Sequence, residues 1–262
     1  MSNHVHDFQT TVKESLLRLI FELTGTCLLT TLWLSTTTSG DSIGFFVGFF
    51  VLLVFSARIS GSHFNPAVTL AFMVRKETGG FSRILGIAYM LFQIAGGLLG
   101  GLLGYTFFQA QPSIELVPQK NDLGEVTGYL IFQSIFIQAL ATAILVFLYL
   151  TQTEEKTKLS DDNAITTLII AGAYYVGVYW SSSFDTVQSS NPLNPAIAMG
   201  DGLGMLLHAV FYWDTWIWIF YIVPLGGSLI AVLLFEYVYK PAQETVQEEQ
   251  PDNLGDGLLA NE

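Results

Sequence analysis

Eight apolar segments run along this chain, and two of them are too short to cross a bilayer. Six, near residues 15–35, 42–58, 82–107, 129–151, 164–181 and 215–239, approach the ~20 residues an α-helix needs to span a membrane core. The two short ones lie at about 66–75 and 195–207. A spanning segment must satisfy its backbone polar groups internally, which leaves this chain an all-α membrane fold. Composition agrees: only 12% of residues are charged, about half the share of a soluble domain. The first 14 residues are polar but lack the basic start of a cleavable signal, so they read as an N-terminal segment before the first span.

Each short segment begins with Asn-Pro-Ala, at Asn65-Pro66-Ala67 and at Asn194-Pro195-Ala196. Asn caps free backbone N–H groups and Pro suits the first helical turn, so each tripeptide starts a helix. These segments read as half-helices that enter the membrane and stop. Irregular backbone at that depth is tolerated only against protein or a water-filled cavity, so a cavity lies between them.

The two halves repeat. Glu22-x-x-Gly25-Thr26 in the first span matches Gln138-x-x-Ala141-Thr142 in the fourth, and Gln93-x-x-Gly96 in the third matches Pro224-x-x-Gly227 in the sixth. Repeat one covers about 15–107 and repeat two about 129–239, within a channel domain of 15–240. Three spans per repeat invert the second half, which places the working site at the midplane where the half-helices meet. Lys13, Arg75, Lys76, Arg83, Lys156, Lys158 and Lys240 mark one set of loops, so both termini are expected on the cytoplasmic side.

Two half-helix N-termini facing each other concentrate positive potential, which repels protons and other cations. Each Asn side-chain oxygen caps its own helix and leaves the amide NH₂ to donate into the lumen. This is transport by stereochemistry: not an enzyme, with no covalent step, no cofactor and no metal. Net charge is −12, and six acids without a base fall in the final 19 residues. That disfavours nucleic acid and makes 241–262 an acidic disordered tail.

These motifs, "SGSHFNPAVTLAF" and "LNPAIAMG" above all, resemble the major intrinsic protein, or aquaporin, family. The resemblance covers about 15–240. It implies an hourglass fold of six spans and two re-entrant half-helices, a homotetramer in the lipid bilayer, and a pore for water or small neutral solutes in each subunit. Asn65 and Asn194 match the pore asparagines, and His63 matches a pore-lining histidine. Gly61, Ser62 and Phe64 would turn carbonyls toward the lumen, as would residues 191–193. Phe45 falls at the aromatic position of the outer constriction. Its partner from the fifth span is Ser182, Tyr179 or Val176, and Asn191 lies in the same loop. Glu22 is a structural brace for the half-helix loop, with Gln138 its uncharged counterpart.

Ile197 departs from the pattern, because the family usually has Arg directly after the second Asn-Pro-Ala. No Lys or Arg in 182–193 replaces it. An apolar ring there either passes neutral solutes less selectively or, if narrow, dewets and blocks. The expected function is a passive channel. The alternative is a non-conducting subunit of a membrane assembly that keeps the channel fold.

Overall fold

The computed structural model describes residues 2–76, 81–108, 123–125, 127–182, 191–207 and 218–248. The loop residues 183–190 and the end of the tail, 249–262, lie outside the described residues. The helices are α1 Ser2–Ser39, α2 Ser42–Ser56, α3 Pro66–Val74, α4 Arg83–Phe108, α5 Gly128–Thr153, α6 Asn163–Ser182, α7 Pro195–Leu207 and α8 Trp218–Leu234. A π-helical turn, Phe235–Tyr239, then joins α8 to α9, Lys240–Glu248. The fold among the described residues is all-α.

Both half-helices appear where the tripeptides start them. Asn65 has extended backbone and its Oδ1 accepts from Ala67 N at 2.8 Å. Asn194 Oδ1 accepts from Ala196 N at 3.0 Å. Each cap satisfies an N–H that the first helical turn leaves orphaned.

The packing repeats as the sequence does. α1 lies on α4 as α5 lies on α8, and α1 touches α2 as α5 touches α6. The half-helices cross over: α3 packs on α8, and α7 packs on α4. Each repeat therefore closes against the other's half-helix, and neither half-helix is buried without its counterpart repeat.

Glycines on α4 set these distances. A Cβ built on Gly96 would lie 2.4 Å from Leu23 O of α1, and one on Gly97 only 2.1 Å from Ala196 O of α7. The small residues let backbones approach on both sides of one helix, which is how membrane helices gain packing when lipid offers no hydrophobic drive. The threonines below them mirror one another, with Thr26 Oγ1 donating to Glu22 O and Thr142 Oγ1 to Gln138 O. Large apolar side chains such as Val47, Val51, Leu91 and Leu233 face outward, as a lipid-solvated surface requires.

Among the described residues five helices have the length and apolar composition of spans, and α2, expected over 42–58, is a shorter apolar helix of 15 residues, about 22 Å of rise. Two expectations change at the ends of the chain. The N-terminal segment 1–14 is continuous with α1 from Ser2 onward. Residues 241–248 of the expected disordered tail are helical as α9. At both ends an established helix is extended, which avoids the cost of nucleating a new one and lets polar residues continue it.

The cytoplasm-expected end of α3 is anchored by charge. Arg75 is buried, bonds Glu154 at the C-cap of α5, and lies 3.5 Å from Glu236 in the π turn. Its guanidinium also sits over the rings of Phe72 and Phe235.

Gly97→Val is expected to push α7 off α4, costing about 1–3 kcal/mol or more. Thermal unfolding of the purified variant checks this, and an unchanged midpoint contradicts the packing described.

Candidate pore site

The two loops that enter the half-helices meet through a reciprocal pair of hydrogen bonds. Asn65 Nδ2 donates to Leu193 O at 3.0 Å, and Asn194 Nδ2 donates to Phe64 O at 2.8 Å. Each amide has two N–H donors, and one of each is used across the midplane; the Asn194 side chain also hydrogen-bonds the Tyr174 hydroxyl. The expectation of a wholly free NH₂ is corrected: half of it ties the loops together.

Backbone geometry makes the pair possible. Phe64 and Leu193, each just before its Asn, have φ of 47° and 49°. Bulky residues rarely take this left-handed conformation, and it persists where surroundings over-determine it. Here it turns each carbonyl toward the opposite amide. Gly25 makes room for Phe64, since a Cβ on it would meet the Phe64 ring at 2.0 Å.

Glu22 holds the first loop. Its Oε1 accepts from Ser60 Oγ at 2.6 Å and His63 N at 3.1 Å. Its Oε2 accepts from Phe64 N at 2.8 Å and Gln93 Nε2 at 2.7 Å. Gln93 passes the network to Thr69, and Thr69 Oγ1 lies 3.1 Å from His63 Nδ1. The His63 ring is thereby fixed, among the rings of Phe72, Phe81, Tyr89 and Tyr149.

Gln138 does not repeat this. It is buried, and neither its oxygen nor its nitrogen has a hydrogen-bond partner among the described residues. The mirrored loop explains the difference. Pro192 stands where the first loop has His63 and offers no N–H, and Pro224 stands where α4 has Gln93. Asn191, also buried, likewise has no side-chain hydrogen-bond partner among the described residues. The bracing role assigned to Gln138 is therefore corrected.

The expected lumen carbonyls are already engaged. Tyr149 of α5 donates its hydroxyl to Gly61 O and lies 3.0 Å from Ser62 O. Tyr174 of α6 donates to Pro192 O at 2.5 Å. A central cavity of about 10 Å³ lies between His63, Asn65, Asn194, Phe49, Tyr149 and Tyr174, at the lower limit for one water. Toward α2 and the end of α6 a second cavity of about 180 Å³ opens, lined by Trp33, Phe45, Tyr175, Tyr179 and Ser182 among others. Phe45, Tyr179 and Ser182 thus share one vestibule. Val176 is exposed, and Ile197 is fully buried in the apolar core.

Tyr149 and Tyr174 were not among the residues singled out from sequence, yet the repeat carries a signal for both. Phe45 stands 20 residues before Asn65, and the same count back from Asn194 reaches Tyr174. Tyr149 follows Gln138 by the interval that separates Trp33 from Glu22.

The profile described as Major intrinsic protein matches residues 3–235, and the chain belongs to that family. It is similar to Aquaporin-6 of Rattus norvegicus, with 26% identity over 193 residues, 74% of this chain and 62% of that protein. The match therefore takes in less than two thirds of that relative's length. It is also similar to "Probable aquaporin TIP2-2" of Oryza sativa subsp. japonica, 30% identical over 197 residues, 73% of this chain and 68% of that one. An X-ray structure of the aquaglyceroporin from Plasmodium falciparum aligns with a TM-score of 0.71 at 18% identity, covering 88% of this chain and 99% of that one. The fold is shared at that distance.

Two substitutions separate the repeats. Glu22→Gln puts an NH₂ donor against N–H donors and is expected to cost about 3 kcal/mol. Gln138→Leu removes polar atoms without partners and should cost under about 1 kcal/mol or stabilise. Thermal unfolding of both variants in detergent reads the contrast, and equal losses contradict it.

Proposed function

We propose that the chain is a passive transmembrane channel for water or small neutral solutes, with cations excluded at the midplane. The observation that carries this reading is the pairing of Asn65 and Asn194 across two half-helix N-termini. The aligned peptide dipoles place partial positive charge at that point from both sides. The second amide donor of Asn65 gives a solute oxygen a partner, while a cation meets only donors and like charge.

In this reading solute enters through the vestibule of Phe45, Tyr179 and Ser182, while Ile197 and Asn191 are buried and do not line it. The missing filter Arg removes a charge that would favour water, so entry there is governed by size and neutrality. The homotetramer and cytoplasmic termini that the family resemblance implies belong to the same proposal.

A second reading, a non-conducting subunit that keeps the channel fold, has one observation in its favour: the central cavity holds about 10 Å³. Stopped-flow light scattering on proteoliposomes with water, glycerol, urea and ammonia separates the two. The channel reading predicts permeability above bare lipid for at least one solute, with no accompanying proton or potassium flux. Bare-lipid rates for all four would establish the second reading instead.

A further inference from the structure

The pore-lining carbonyls of both loops carry tyrosine hydroxyls in place of solute. Tyr149 reaches Gly61 O and Ser62 O from α5, and Tyr174 reaches Pro192 O from α6. Both rings are buried and both line the small central cavity with Asn65 and Asn194. They are held differently. Tyr174 stands edge-on to Phe45 and Phe49, with ring centroids 5.4 and 4.9 Å away. Tyr149 stands edge-on to His63 and Phe72 at 6.1 and 5.8 Å.

We propose that Tyr149 and Tyr174 are the specificity-determining residues of this pore, two plugs that solute must displace from the loop carbonyls, one on each side of the asparagine pair. This rests on the channel reading above. A solute passes a tyrosine by giving the carbonyl an O–H or N–H donor as the hydroxyl leaves, so one hydrogen bond is exchanged for another. Water, ammonia and urea carry such donors. A solute without one leaves a buried carbonyl poorly satisfied, which is costly. The narrowest section then lies beside the midplane and not at the vestibule, which has the larger cavity. The absence of Arg at Ile197 is compatible with selection here, because discrimination has moved inward to the tyrosines.

The test compares Tyr149→Phe, Tyr174→Phe, both together, and the corresponding Ala variants with the wild type, in proteoliposomes at matched protein density. Each Phe variant keeps the ring and frees the carbonyl. Each is expected to raise water permeability roughly fivefold, the factor one neutral hydrogen bond is worth, and to lower its activation energy. The double Ala variant should in addition admit glycerol, because both rings are gone. Variants are compared only when their elution profile and thermal midpoint match the wild type, and the Phe variants serve if Ala disrupts folding. A conducting wild type with unchanged Phe and Ala variants overturns this assignment and leaves the channel reading standing. Bare-lipid rates in the wild type and every variant overturn both.

Discussion

A helix that stops at membrane depth leaves backbone donors and acceptors without helical partners and away from bulk water, and everything central to this fold answers that constraint. On the acceptor side the two loops solve it jointly, each asparagine amide donating to the other loop's carbonyl. On the donor side the solution is unequal. Glu22 collects two backbone N–H groups of the first loop and two side-chain donors. The second loop replaces one such N–H with Pro192 and needs no carboxylate. A buried charge in one repeat and an uncharged glutamine in the other go with two prolines, Pro192 and Pro224, which each remove a donor that Glu22 collects in the first repeat.

Glycine placement does for packing what the asparagines do for polarity. Gly96 and Gly97 face opposite neighbours, α1 and α7, so α4 holds its own repeat and the other's half-helix at contact distance. A wider helix there would separate Asn194 from Phe64 O. Arg75 anchors the far end of α3 through Glu154 and Glu236, so the first half-helix is fixed at both ends.

Much of this was legible in the sequence because it rests on local chemistry. Asn-Pro specifies a helix start in three letters, a short apolar run specifies a half-helix, and an isolated Glu22 in a span calls for buried donors. The bond between Asn65 and Leu193 was not legible, since it joins residues from different halves through backbone turned by an unusual φ. Gln138 misled because its alignment with Glu22 says nothing of whether the facing loop retains its N–H groups. Tyr149 and Tyr174 sit in no motif, and only the repeat's spacing reveals them, counted from Gln138 for the first and from Asn194 for the second. The ends of the chain misled for another reason: a polar stretch that cannot start a helix can still extend one.

The central claim is that the two half-helices are locked to each other through Asn65 and Asn194. A double-mutant cycle on thermal stability tests it most directly, with Asn65→Ala, Asn194→Ala and the pair. The account predicts non-additivity, with the pair losing about 1 kcal/mol less than the two single losses combined, because the loops are already unlocked after either change. Strict additivity would mean that each asparagine serves only its own helix, and would contradict the account.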